Sequence, residues 1–190
     1  MIEARMYKCL KSQRMDLGQF TLKTIQDDDI EDIRNWRNSQ IDVLRQSEPI
    51  SQKQQKNYFE QKIWPAMKLE YPDNILFTFF EKDKKIGYGG LVHISWEHRR
   101  AEVSFLLNTA YTRDNDTYCH YFSIYLSMIK TLAFSALKFN RLYTETYDFR
   151  HEHIKALESN KFQLEGRMRK HILICDKFYD SVIHGVTNEK

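Results

Sequence analysis

The hydrophobic period of this chain switches repeatedly between two residues and about 3.6, and such switching restricts the fold to helices layered on a sheet. Phe20, Leu22 and Thr24 alternate with their neighbours over Gln19–Ile25, a strand pattern. Asp27, Asp28 and Asp29 then supply an N-cap and favourable first-turn charges for a helix carrying Ile30, Ile33 and Trp36. A second helix starts after Pro49, where Ser51 and Gln54 make a capping-box pattern, and Pro65 is expected to end it. Ile75–Phe80 and Lys85–Ile94 read as strands around the charged turn Glu81–Lys84, and Ala101–Leu107 alternates as a third, antiparallel strand. Phe122, Leu126, Ile129, Ala133 and Leu137 return to helical spacing, predicting a long helix over Tyr121–Leu137. Arg141–Tyr147 reads as a strand, His151–Ser159 as a short helix, and Phe162–Ile174 with Lys177–Val186 as a closing pair of strands. The pattern predicts an α/β (α+β) domain with a mixed, mostly antiparallel central sheet of about seven strands flanked by about four helices.

A length of 190 residues suits a single domain over 1–190, with residues 1–18 as an N-terminal extension. Hydrophobic residues at 42% with charged residues at 29% exclude a disordered or low-complexity chain. The net charge of +3 is small and scattered, so no nucleic-acid partner is demanded. Cys9, Cys119 and Cys175 are odd in number and widely spaced, which suits neither a disulfide framework nor a zinc site and points to a reducing, cytoplasmic setting. Glu3, Arg5 and Lys8 interrupt the N-terminus, and no run reaches the ~20 apolar residues of a membrane span, so neither a signal peptide nor a membrane partner is expected. His151 and His153 fall on different helix faces, which argues against a metal site, and no Ser-His-Asp or thiol-nucleophile arrangement is recognisable by spacing.

The order of elements, with Ile86-Gly87-Tyr88-Gly89-Gly90-Leu91, Ala101-Glu102-Val103-Ser104-Phe105 and Arg141-Leu142-Tyr143-Thr144-Glu145-Thr146, resembles the GNAT superfamily of acetyl-CoA-dependent N-acetyltransferases over Gln19 to Val186. Ile33 to Asn38, and Leu164-Glu165-Gly166-Arg167 through Lys177 to Ser181, resemble two groups within it. One acetylates ribosomal-protein N-termini; the other acts on bacterial nucleotide-linked amino sugars, as in pseudaminic acid synthesis. Trp36-Arg37-Asn38 followed by Ile41 to Gln46 looks closer to the second. The resemblance implies acetyl-CoA as cosubstrate, no metal, a small-molecule acceptor, and a homodimer as one possible assembly. It implies direct acetylation of a nucleotide-linked amino sugar for a surface glycan, the alternatives being a protein N-terminal acetyltransferase or a non-catalytic binding protein of the same fold. It also places the backbone of Leu106, Leu107 and Asn108 beside the cosubstrate.

Two departures from the family pattern stand out. The family's glycine-containing pyrophosphate loop is replaced by Arg113-Asp114-Asn115-Asp116-Thr117-Tyr118-Cys119-His120, without a glycine between Gly90 and Gly166, leaving Arg113 or His120 to supply charge. In the helix after the fifth strand, Arg150 and Leu157 stand where the family has an Asn beside the cosubstrate and a Tyr that protonates the CoA thiolate.

Acetyl transfer to an amine requires held reactants, a polarised thioester and a base. Glu102, on one strand face with Ser104 and Leu106, is one candidate base, and His93 at the end of the glycine-rich strand is the other. Tyr147 and Tyr179 are candidate proton donors to the thiolate. Trp36, Arg37, Asn38 and Arg45 offer a ring and positive charge to a nucleotide base and phosphates, while Tyr88 and Gly90 lie in a strand suited to line a substrate channel. Each has a competing structural role: Trp36 as a helix anchor, the glycines as a bulge, the tyrosines as packing.

Overall fold

The computed structural model describes residues 4–112 and 114–189. They form two compact units, one of Met1–Ile94 with Ser104–Ala110 and one of Ser95–Val103 with Tyr111–Lys190.

In the first unit, β1 (Arg14–Leu17) and β2 (Phe20–Thr24) form an antiparallel hairpin turned at Gly18, whose φ of +59° favours glycine. Residues assigned to an extension by sequence are therefore folded here. Tyr7 is 1% exposed and its hydroxyl accepts the Leu76 N–H at 3.0 Å. A 3₁₀ turn at Asp27–Asp29 leads into α1 (Ile30–Asn38), and buried Asp29 accepts from the Thr78 hydroxyl at 2.7 Å and the Lys85 ammonium at 2.7 Å, tying this turn to the sheet. The capping box of Ser51 and Gln54 opens α2 (Gln52–Tyr58) as the spacing predicts. Pro65 does not end that helix: a π turn at Phe59–Ile63 carries it into α3 (Trp64–Met67), where Pro65 sits in the first turn and its missing N–H is tolerated.

β3 (Ile75–Glu81) pairs antiparallel with β4 (Lys84–Ser95). A Cβ on Gly90 would stand 1.9 Å from the Ile75 carbonyl oxygen, and one on Gly87 would stand 2.6 Å from that of Leu106. Close backbone approach on both sides of β4 thus accounts for these two glycines. β5 (Arg100–Leu107) belongs to this unit from Ser104 onward.

In the second unit, α4 spans Asn115–Lys130 and continues through a π turn at Thr131–Ala136. It starts six residues before the predicted Tyr121, because the Asp114 carboxylate caps it, so the sequence expected as a loop forms its first turn. β6 (Arg141–Tyr147) runs parallel to β5 over Arg100–Glu102 paired with Arg141–Tyr143. α5 (His151–Ser159) follows, then β7 (Gln163–Ile174) and β8 (Lys177–Thr187), an antiparallel pair with β8 also antiparallel to β6. Strand order is β1-β2-β3-β4-β5-β6-β8-β7, an eight-stranded mixed, mostly antiparallel sheet. The strand beyond the seven expected is β1. With α2 and α3 joined through their π turn, four helical rods accompany it. No helix among the described residues is long and apolar enough to cross a membrane.

Candidate functional site

A cavity of about 400 Å³ lies within the first unit. Ile33 and Arg37, one helical turn apart on α1, form one side; Gln54, Gln55, Tyr58 and Phe59 form another, from α2 and its π turn. Leu76 of β3, Tyr88 and Val92 of β4 and Ser104 of β5 form the floor, and Ile50 of the α1–α2 connection closes one end. The walls are apolar and aromatic, the polar groups are amides and hydroxyls, and among the described residues the single lining charge is that of Arg37.

That charge is held on two sides. Arg37 Nη1 donates to the Tyr88 hydroxyl at 2.9 Å and Nε donates to Gln46 Oε1 at 3.1 Å. Gln46 Nε2 donates in turn to Asn38 Oδ1 at 3.1 Å and to the Glu48 carbonyl at 2.9 Å. Asn38 closes the network by accepting the Ile50 N–H and donating to the Ile50 carbonyl, both at 2.8 Å, so its amide fixes the connection between α1 and α2. Trp36 is buried and stacks on Tyr88 with ring centroids 6.4 Å apart. Burial raises the Tyr58 pKa, Tyr88 adds to the rise and the Arg37 charge opposes it. Gln55, which lines the cavity, is 3% exposed.

Of the residues selected from sequence, Trp36, Arg37, Asn38 and Tyr88 thus gather here, with Arg37 and Tyr88 lining the cavity. Gly90 serves the β3–β4 approach, and Arg45 is exposed in the α1–α2 connection. His93 is exposed with φ 49°, which interrupts strand alternation directly after cavity-lining Val92. The Asn108 N–H donates to the Ile86 carbonyl at 2.8 Å, and the Leu107 carbonyl accepts from Gln40 Nε2 at 2.9 Å; Leu106 is buried.

The remaining candidates lie in the second unit. Glu102 is half-buried and in register with Tyr143. Tyr147 is buried and Tyr179 half-exposed, and both rings meet Phe149, at 5.7 and 4.9 Å. His120 is exposed on α4, with its ring against Tyr121. Arg113 lies outside the described residues. Arg150 Nη2 donates to the Tyr118 hydroxyl at 3.1 Å, and that hydroxyl meets His153 Nδ1 at 2.6 Å. Burial, with Arg150 and His184 nearby, holds the His153 pKa well below its ordinary value, which favours the neutral ring that shares this hydrogen bond with Tyr118. Leu157 is fully buried.

At the start of α4 the Asp114 carboxylate accepts from the Thr117 N–H at 2.9 Å, the Asp116 N–H at 3.4 Å and the Thr117 hydroxyl. The Thr117 bonds hold its pKa below the usual carboxylate range. An anion of the protein thus occupies first-turn donors at the start of α4. Burial and the neighbouring Glu152 raise the Cys119 pKa, which disfavours a thiolate. Among the described residues no group of three or more His, Cys, Asp and Glu side chains is arranged to hold a metal ion.

Sequence reasoning missed the cavity roles of Gln46, Gln55 and Tyr58 and the contact between Tyr118 and His153, and read Gln54 only as a capping residue. Gln46 and Gln55 belong to no motif, and Tyr118 and His153 are joined only by tertiary structure.

A family model described as an acetyltransferase (GNAT) domain matches residues 22–183. The spermidine N-acetyltransferase of Vibrio cholerae, solved with CoA and spermine, is 16% identical with a TM-score of 0.76, covering 90% of this chain and 96% of that one. A dodecameric structure of the V. cholerae spermidine enzyme in an intermediate state is 18% identical with a TM-score of 0.72, covering 90% and 95%. Among curated protein sequences nothing matches.

Proposed function

Because the chain belongs to the GNAT acetyltransferase family and is an acetyl-CoA-dependent N-acetyltransferase, we propose that its acceptor is the amino group of a nucleotide-linked amino sugar, acetylated by direct transfer in the making of a surface glycan. The observation that carries this reading is the composition of the first-unit cavity, whose lining among the described residues has apolar and aromatic walls, amides and hydroxyls, one arginine and no carboxylate. A polyamine, such as the spermine bound in the V. cholerae structure, would enter this space as a polycation facing Arg37 with no lining acid to neutralise it. A sugar offers hydroxyls to the amides and a nucleotide offers negative charge to the guanidinium.

In the proposed reaction the amine nitrogen attacks the thioester carbonyl, the C–N bond forms, the C–S bond breaks, and the ammonium proton leaves to a base. Glu102 is the proposed base and His93 the competing one. Tyr147 and Tyr179 are the proposed proton sources for the thiolate, since Leu157 has no proton to give. Holding the reactants together and removing one proton account for most of the rate such a site must supply.

Free-thiol release from acetyl-CoA, followed with UDP- and dTDP-linked amino sugars, spermidine and an N-terminal peptide, tests the reading. Saturable release with a nucleotide-linked amino sugar and little with the other two is expected. Turnover of spermidine or the peptide with the sugars inert would replace the proposed acceptor, and no release with any amine would favour a non-catalytic protein.

A further inference from the structure

Arg37 is a half-buried cation in a cavity lined, among the described residues, by no acid, and its surroundings hold its position without neutralising it. The guanidinium has five N–H donors. Nε is engaged by Gln46 and one Nη1 hydrogen by Tyr88, leaving the second Nη1 hydrogen and both on Nη2. No carboxylate among the described residues pairs with it. Elsewhere in the same unit charge is paired locally: Arg5 with Asp27 at 2.9 Å, and Lys85 with Asp28, Asp29 and Asp32 at 2.7 to 3.5 Å. Removing a guanidinium from water without a counter-charge is costly, and Arg side chains so placed match the paired oxygens of phosphate. Gln55, which is 3% exposed, lines the same cavity. Its amide can both donate to and accept from a ligand there.

We propose that Arg37 and Gln55 form a nucleoside-diphosphate subsite in which Arg37 takes the phosphate charge, Gln55 pairs with a neutral polar group of the same ligand, and Gln46 is the positioning residue that aims the guanidinium. This deepens the acceptor reading above and rests on it for the ligand class. Gln46 suits this role because an amide oxygen fixes Nε without cancelling the charge, whereas a glutamate there would fix it and cancel it. Gln46 also donates to Asn38, which brackets Ile50 at the end of the cavity, so the α1–α2 connection and the guanidinium are set by one network.

The test uses UDP and dTDP as probes, measured by isothermal titration and as competitive inhibitors of acetyl transfer, with Q46E, R37Q and Q55L compared to the wild type. Q46E keeps the acceptor oxygen for Arg37 Nε, and its thermal midpoint checks folding. At least a tenfold loss of probe affinity in Q46E and R37Q, and a few-fold loss in Q55L, is expected, with KM for acetyl-CoA unchanged and with wild-type probe binding weakening as salt rises. Probe affinity within twofold of wild type in Q46E and R37Q overturns the subsite. If nucleotide-linked amino sugars are acetylated while those variants bind probes normally, the subsite fails and the acceptor reading stands. If no such sugar is acetylated yet UDP or dTDP binding depends on Arg37, the subsite stands and the acceptor reading fails. Should Q46E not fold, the Q55L and R37Q titrations decide by the same thresholds. Binding of neither probe by folded wild-type protein rejects the proposal outright.

Discussion

Two polar networks organise the helices of this protein, and they end in opposite ways. In the first unit the chain from Ile50 through Asn38 and Gln46 to Arg37 finishes in a cavity with Arg37 N–H groups unspent and the Gln55 amide in its lining. In the second, Arg150, Tyr118 and His153 satisfy one another and Asp114 caps its own helix. A network that closes on itself stabilises a framework, whereas one that ends with unmet donors in a cavity is prepared for a ligand. The polar side chains on β6 and β8 qualify this contrast: His184 is 1% exposed with both ring nitrogens lacking a hydrogen bond among the described residues, as do the Thr144 and Thr146 hydroxyls. Such groups are places for buried water.

The strongest challenge to the comparison is Glu102→Gln, since it asks whether the second unit contributes chemistry as well as framework. Loss of a general base lowers turnover by about 10²–10⁴-fold, so we expect kcat to fall within that range while the affinity for acetyl-CoA and the unfolding midpoint hold. Unchanged kcat removes Glu102, and His93→Ala then becomes the decisive variant.

A paired substitution sharpens the contrast. Tyr118→Phe leaves His153 Nδ1 without a donor and Arg150 Nη2 without an acceptor, and an unmet buried group costs about 1–3 kcal/mol. Gln55→Leu replaces a cavity-lining amide with a hydrocarbon of similar size and is near neutral for stability. Denaturant unfolding should therefore show a loss for Tyr118→Phe alone, while the acceptor KM should rise for Gln55→Leu alone. The reverse pattern would mean that the cavity is framework and the α4–α5 network is the site.

The same division explains what the sequence made legible. The capping box at Ser51 and Gln54, the hairpin strands and the α5 boundaries are local signals, and the structure contains them. β1 escaped because four residues with one half-buried side chain show no usable alternation. Pro65 misled because the π turn before it depends on packing around Phe59 and Ile63, both buried. Arg37 and Tyr88 stood out by residue type. Gln46 and Gln55 did not, because the meaning of an amide is set by whether its partners are present, and those partners lie outside its own segment. Tyr118 and His153 are separated by 35 positions, beyond any spacing rule.

The pH dependence of stability probes the closed network directly. The folded-state pKa of His153 is well below its ordinary value, so near pH 6.5 the unfolded chain binds a proton that the folded chain does not. Its contribution makes stability fall as pH drops through that value, by up to about 1.4 kcal/mol per pH unit for one proton. Unfolding midpoints measured from pH 7.5 to 5.5 should show the decline, and His153→Gln, which retains an acceptor for Tyr118, should flatten it. An equal slope in the variant would assign the decline elsewhere.

Asp114 supplies the smallest effect and the finest test of what a closed network costs in function. Its carboxylate holds the Asp116 and Thr117 N–H groups at the start of α4, where a CoA phosphate would compete for the same donors against a negative charge. Asp114→Asn keeps an N-cap oxygen and removes the charge. KM for acetyl-CoA should fall a few-fold at low ionic strength, and the gain should shrink as salt screens the site. A KM that rises instead would mean the carboxylate orders that turn for the cosubstrate, and the closed end of α4 would then be a prepared surface in the same sense as the open cavity.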